Sequence, residues 1–172
     1  MEDASGFGRV LPYQPSEALL AEARLKLHVR ATYGKNGPVV KNPRTDPLAR
    51  TPLHWAAHKG EMKWVEEHLT SRNINSMDFF GQTPLYHAAM MGHKDAAEAP
   101  LKAGADKDAP DPDGCTPMWF AADEGHVAVV EGLLEAGADK DMPDAEGVTP
   151  LQCAVSRGDT AVAEVLRKAG AV

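Results

Sequence analysis

The chain has 172 residues, of which 43% are hydrophobic and 25% are charged, the composition of an ordinary soluble protein. No apolar run approaches the roughly 18 residues that a membrane-spanning helix needs, so we expect no direct membrane insertion. The net charge is −7, and residues 49–172 carry 11 basic and 20 acidic side chains, which argues against nucleic acid as a partner and favours a partner with a basic surface.

The amino terminus carries no recognisable targeting segment. Its first ten residues, MEDASGFGRV, have neither the apolar centre of a secretory signal nor the Arg- and Ser-rich composition of a transit peptide. We therefore expect a cytoplasmic or nuclear protein, or an organellar one if residue 1 is a processed or truncated start. Cys115 and Cys153 form no Cys-x-x-Cys pair, and we interpret them as free thiols.

Residues 1–48 are predicted to form an amino-terminal arm with one helix at 16–33. Ser16 can cap this helix, Gly34 can end it, and apolar residues recur along one face. The Gly- and Pro-rich flanks predict extended or irregular backbone. The helix could cover the open apolar end of the first repeat described below, or it could dock on a partner.

From residue 46 onward the chain repeats itself. Four segments align, TPLHWAA, TPLYHAA, TPMWFAA and TPLQCAV, and they begin at Thr51, Thr83, Thr116 and Thr149. Thr suits a helix N-cap, and Pro suits the first helical position. A glycine that can end this short helix follows each segment, and then comes a second apolar helical stretch. The four repeats, numbered one to four, span 46–77, 78–110, 111–143 and 144–172.

The shared pattern, D-x-x-G-x-T-P-L-x-x-A-A-x-x-G-H-x-x-V-V-x-x-L-L-x-x-G-A-D, resembles the ankyrin repeat over residues 46–172. The resemblance implies an all-α solenoid of stacked helix–turn–helix units with short β-hairpin-like turns. It also implies a non-catalytic module that binds another protein through its hairpin tips and concave face. Two alternatives stay open: a structural accessory subunit of a large multiprotein complex, organellar or not, and a regulatory subunit of an enzyme.

Three departures from the pattern carry expectations of their own. Ala49 replaces the turn glycine of the other repeats, so the first turn should be either strained or differently shaped. Pro100 stands inside the second helix of repeat two, where it should kink the helix and weaken the repeat. Trp64 occupies an apolar position of the pattern and is predicted to lie in the core. Trp55, Trp119 and Phe120 lie on first helices, where they either belong to the core, which we favour, or line the groove.

Seven histidines raise the question of a metal site. His54 and His58 are four residues apart on a predicted helix, a spacing that can hold zinc, but the sequence supplies neither the Glu of a His-Glu-x-x-His motif nor a third ligand. The resemblance implies instead that His54 hydrogen-bonds within the stack. With no phosphate loop or nucleophile motif visible, we expect no metal, no cofactor and no enzyme activity.

The resemblance places partner contacts at hairpin tips and just before the glycine that ends each first helix. Phe79, Phe80, Met90 and Met91 are predicted to form one exposed apolar patch beside an acidic strip, which suits an apolar or basic partner surface. Alternatively, the Phe pair packs against the amino-terminal arm. The full predicted set is His58, Lys59, Phe79, Phe80, Gln82, Met90, Met91, Pro112, Asp113, Asp123, Glu124, Glu146 and Arg157.

Overall fold

The computed structural model describes residues 48–172, and the predicted helix at 16–33 lies outside the described residues. Within 48–172 the secondary structure consists of eight helices and no strand, which confirms the all-α prediction. The helices are α1 Pro52–Lys59, α2 Met62–His68, α3 Pro84–Met90, α4 Lys94–Lys102, α5 Pro117–Asp123, α6 Val127–Glu135, α7 Pro150–Arg157 and α8 Thr160–Lys168.

The helices stack in two layers. The first helices α1, α3, α5 and α7 pack in that order, the second helices α2, α4, α6 and α8 do the same, and each helix also packs on the other helix of its repeat. One continuous apolar core runs through all four repeats, including Leu53, Leu85, Met118, Leu133 and Leu166. Each repeat thus buries its apolar face against its neighbours, as a solenoid requires.

The Thr-Pro motif starts the first helices as predicted. The side-chain oxygens of Thr83, Thr116 and Thr149 each accept a hydrogen bond from the backbone N–H three residues later, and the proline follows at the start of each helix. In repeat one, Thr51 Oγ1 lies 2.8 Å from His54 Nδ1, and His54 Nε2 lies 3.0 Å from the carbonyl oxygen of Gln82. The prediction that His54 hydrogen-bonds within the stack is confirmed.

Three turns connect the repeats: turn A at 78–82, turn B at 111–115 and turn C at 144–148. In each, the first N–H donates to the carbonyl oxygen four residues later, at 2.9, 3.0 and 3.1 Å. Each turn is therefore closed like a hairpin, although no strand is assigned to it. Ala49, which stands where turns A to C have glycine, has a left-handed φ of 54°, so the expected backbone strain falls at this residue.

Pro100 does not shorten the helix that contains it. Helix α4 has nine residues, as do α6 and α8. The Pro100 carbonyl oxygen accepts hydrogen bonds from the N–H groups of Ala103 and Ala105, at 3.1 and 2.9 Å. The helix therefore ends normally beyond the proline, and the lower stability of repeat two stays a prediction.

The prediction that Trp64 lies in the core is wrong, because 45% of this residue is exposed. Its ring stacks on that of His68, with 5.5 Å between centroids and 28° between planes. Helix α2 is the first helix of the second layer within residues 48–172. Each later helix of that layer packs against the second helix of the preceding repeat. The equivalent residues of those later repeats are buried, namely Ala96, Val129 and Val162. Trp119 and Phe120 are buried as predicted, and Trp55 is half-buried.

Candidate functional site

The tip of turn A carries the most exposed aromatic side chain of the described residues. Phe79 is 72% exposed, Phe80 is half-buried, and their rings meet edge to face with centroids 5.5 Å apart. Met77, two residues before Phe79, is also exposed and was missed by the sequence analysis, although three large apolar residues in the run Met-Asp-Phe-Phe were a visible signal. We call Met77, Phe79 and Phe80 the tip patch.

The prediction that Met90 belongs to an exposed patch is wrong. Met90 is 8% exposed and packs in a second core cluster with Tyr86, Trp119 and Phe120, whereas Met91 is 41% exposed. Successive side chains on a helix point about 100° apart, so two adjacent methionines cannot face the same way. Met91 keeps its predicted place on the surface.

Gln82 is also wrongly placed among the surface residues, since only 1% of it is exposed. Its backbone makes three contacts within the scaffold. Its N–H donates to Asp78 Oδ1 at 3.0 Å, and its carbonyl oxygen accepts the Asp78 N–H at 2.9 Å and lies 3.0 Å from His54 Nε2. A residue held on both sides in this way is structural, and it leaves no side chain for a partner.

Asp78 holds turn A in place from inside. Its Oδ1 accepts the N–H groups of Phe80 and Gln82, and its Oδ2 lies 3.3 Å from Arg50 Nε and 3.0 Å from His87 Nε2. Burial alone would raise the pKa of Asp78, but the hydrogen bonds from His87 and the turn backbone lower it to about 2. The carboxylate is therefore ionised at neutral pH and fixes the backbone that carries the tip patch.

His87 is the neutral member of this group. Complete burial lowers its pKa to about 3, against the opposing effect of its hydrogen bond to Asp78. At neutral pH its Nε2–H can therefore donate to Asp78 Oδ2 without bringing a second positive charge beside Arg50. The site is an ion pair with a neutral hydrogen-bond donor, all of it buried.

Asp111 holds turn B with the same backbone geometry and a different electrostatic environment. Its Oδ1 accepts the N–H groups of Asp113 and Cys115, both at 3.0 Å, and its Oδ2 accepts the Tyr86 hydroxyl at 3.2 Å. No cation within the described residues pairs with it. Burial therefore prevails and raises the pKa of Asp111 to about 6.

Two predicted contact residues pair with each other across repeats three and four. Arg157 Nε and Nη2 donate to the two carboxylate oxygens of Asp123, both at 2.6 Å, and the Cys153 thiol donates to Asp123 at 3.1 Å. The acidic strip predicted from the sequence consists of Asp113, Asp123 and Glu124, so the ion pair with Arg157 neutralises part of the negative charge of the strip. The sequence contains a signal for this pairing, because the two residues occupy similar places in successive repeats. Asp123 lies two residues before Gly125, and Arg157 lies one residue before Gly158.

The other predicted contact residues lie at or near the surface. Lys59, Pro112, Glu124 and Glu146 are exposed, Asp113 is half-buried, and His58 is half-buried with ring contacts to Trp55 and His87.

Burial raises the pKa of both cysteine thiols, Cys115 and Cys153, so they stay protonated and unsuited to nucleophilic attack at neutral pH. In residues 48–172 no set of three or more His, Cys, Asp or Glu side chains is arranged to hold a metal ion. Nor does any helix in that part of the chain combine the length and apolarity needed to cross a membrane.

Comparison with known proteins identifies the family. A family model described as "Ankyrin repeats (3 copies)" matches residues 26–111 and 99–172, which together make up most of the chain. The chain therefore belongs to the ankyrin-repeat family, as the sequence pattern predicted. Repeats of this family indicate a protein–protein interaction module, and the family is generally non-catalytic.

Individual relatives match over short stretches. Osteoclast-stimulating factor 1 of Rattus norvegicus is 46% identical over 48 residues, which are 27% of this chain and 22% of that protein. The Xenopus laevis protein of the same name is 35% identical over 68 residues, 38% of this chain and 32% of its own length. Ankyrin repeat domain-containing protein 13C of Danio rerio is 35% identical over 60 residues, 35% of this chain and 12% of that protein. The chain spans less than a third of the length of these curated relatives.

Proposed function

We propose that the chain binds an apolar surface of a partner protein through the tip patch on turn A. The observation that carries the proposal is the exposure of Phe79, an aromatic side chain that folding leaves in water. Large exposed apolar groups favour contact with another molecule, and aromatic residues supply much of the binding energy at the centres of interfaces.

The rigidity of turn A supports the same proposal. Asp78 holds the turn through four hydrogen-bonding groups, so the ring of Phe79 is presented on a backbone that is already ordered. Binding to a preorganised loop costs less conformational entropy than binding to one that must first be fixed.

The test compares Phe79→Ser with Ala145→Ser, the same change at the equivalent position of turn C. Each purified variant is immobilised and exposed to an extract of the source cells, and bound proteins are quantified by mass spectrometry. We expect at least one protein to be recovered about thirtyfold less on Phe79→Ser, because loss of a central aromatic contact costs about 2 kcal/mol. Titration calorimetry with that purified protein then measures the affinity directly.

Stability measurements separate binding from folding. Both positions are exposed, so both variants should unfold in urea within about 0.5 kcal/mol of the unmodified chain. Equal recovery of every bound protein on the two variants would contradict the proposal. Loss of folding in Phe79→Ser would show that this residue belongs to the core.

A further inference from the structure

Turns A, B and C form one continuous edge. Ala145 of turn C donates its N–H to the carbonyl oxygen of Asp113 in turn B at 2.8 Å. Turn A abuts turn B, since a side chain at Gly81 would meet Pro112 Cδ at 3.0 Å. A segment of a partner that binds the tip patch can therefore continue from one turn to the next without leaving the surface of the protein.

The chemistry of this edge changes along its length. The repeat places Phe80, Asp113 and Glu146 at equivalent positions of turns A, B and C. The edge is therefore aromatic at turn A and acidic at turns B and C. Among residues 48–172 neither Asp113 nor Glu146 has a Lys or Arg nitrogen within 4.0 Å, whereas Asp123 is fully paired with Arg157.

The same negative charges raise the pKa of two buried groups of turn B. The charge of Asp113 contributes to the raised pKa of Asp111, after the larger effect of burial. The charges of Asp111, Asp144 and Asp113 raise the pKa of the Cys115 thiol in the same way, again after burial. The surface at turns B and C thus attracts positive charge and repels phosphate groups.

We infer that the segment bound along this edge is a protein segment with an apolar side chain over turn A and basic side chains over turns B and C. The inference rests on the proposed function, because the apolar end of the segment is the occupant of the tip patch. Complementary charge at the rim of an apolar contact raises the association rate and fixes the direction in which a segment lies. The order of turns A, B and C therefore determines the order of apolar and basic residues in the partner.

The test is a selection from a random 12-residue peptide library on the complete chain. Selected peptides are synthesised with a fluorescent label, and their affinities are measured by anisotropy against four variants. Asp113→Lys/Glu146→Lys reverses the charge of the edge. Glu131→Lys/Glu135→Lys makes the same charge change on exposed positions of α6, and Phe79→Ser and Ala145→Ser report on the tip patch.

We expect the selected peptides to contain an apolar residue and at least two Lys or Arg. Their affinity should fall about tenfold on Asp113→Lys/Glu146→Lys and on Phe79→Ser, and change less than about twofold on the two control variants. Peptides that require Phe79 but bind the charge-reversed edge equally well, or that are enriched in Asp and Glu, would overturn this inference and leave the proposed function standing. If no selected peptide requires Phe79, both fail.

Discussion

Turns A and B have the same shape, and their central carboxylates behave in opposite ways. Asp78 and Asp111 accept the same pair of backbone hydrogen bonds, yet the pKa of Asp78 falls to about 2 and that of Asp111 rises to about 6. The repeat register explains the difference. Where turn A meets Arg50 and His87, turn B has Gln82 and Phe120 at the equivalent positions.

The comparison separates two roles that one motif residue can play. The backbone of the turn needs only an oxygen that accepts two N–H groups, and both aspartates supply one. The pKa of that carboxyl group depends on the side chains packed around it, which the motif does not specify. In turn A, which carries the tip patch, an ion pair with Arg50 holds the aspartate that fixes the turn backbone.

Replacing Asp78 should have a large effect, and the same replacement at Asp111 a small one. Asp78→Asn should lower the free energy of unfolding at pH 7 by about 3 kcal/mol, because Arg50 loses its buried counter-ion. Asp111→Asn should change it by less than about 1 kcal/mol, because the amide oxygen still accepts both turn N–H groups. Urea denaturation measures both values, and similar losses in the two variants would remove the distinction between the turns.

The pH dependence sharpens the same experiment. The pKa of Asp78 is lowered, so its stabilisation is present above about 3.8 and is lost as pH falls through about 2. The lowered pKa of His87 acts in the same direction. Between about pH 6.5 and pH 3 this histidine is protonated in the unfolded chain and neutral in the folded one, so the free energy of unfolding falls as the pH falls through this range. For Asp111 the raised pKa means that stabilisation is present below about 3.8 and is lost as pH rises through about 6. The free energy of unfolding of Asp111→Asn, minus that of the unmodified chain, should therefore be higher at pH 7.5 than at pH 4.5.

The second helices of repeats two and three differ at a buried position. Pro100 of α4 stands where α6 has Leu133, and the proline supplies no N–H for the carbonyl oxygen of Ala96. Pro100→Leu should raise the free energy of unfolding by about 2 kcal/mol, somewhat less than the full cost of a proline in a helix interior. The reciprocal change Leu133→Pro should lower it by about 3 kcal/mol or more. An unchanged or lower melting temperature in Pro100→Leu would show that repeat two is adapted to its proline.

The smallest effect concerns the neighbouring position of the same helices. Gly132 of α6 stands where α4 has Ala99 and α8 has Val165, and a Cβ placed on it meets no atom within 4 Å. Gly132→Ala should raise the free energy of unfolding by about 0.8 kcal/mol, because alanine loses less backbone entropy in a helix. Thermal unfolding followed by circular dichroism measures the change, with Ala99→Gly as the matched loss in repeat two. A destabilised Gly132→Ala would point to a strained helix.

Most of the fold could be predicted from local signals. The Thr-Pro starts, the glycines that follow the first helices and the spacing of apolar residues specify the eight helices of residues 48–172 and the order in which they stack. The errors at Met90, Gln82 and Trp64 have a common cause. Each residue was assigned by its place in the repeat, whereas its exposure depends on which neighbouring helix or turn lies against it.

By itself, then, the sequence determined the family, the helical class and the presence of two adjacent phenylalanines at the tip of a turn. Those features depend on interactions between residues close together in the chain, so a repeating pattern is enough to reveal them. Only the tertiary structure decided which apolar residues stay in water, that Asp123 is paired with Arg157, and that Asp78 and Asp111 differ in pKa. Each of these depends on burial and on groups about 30 residues away, because a side chain's pKa and exposure are properties of its surroundings in space.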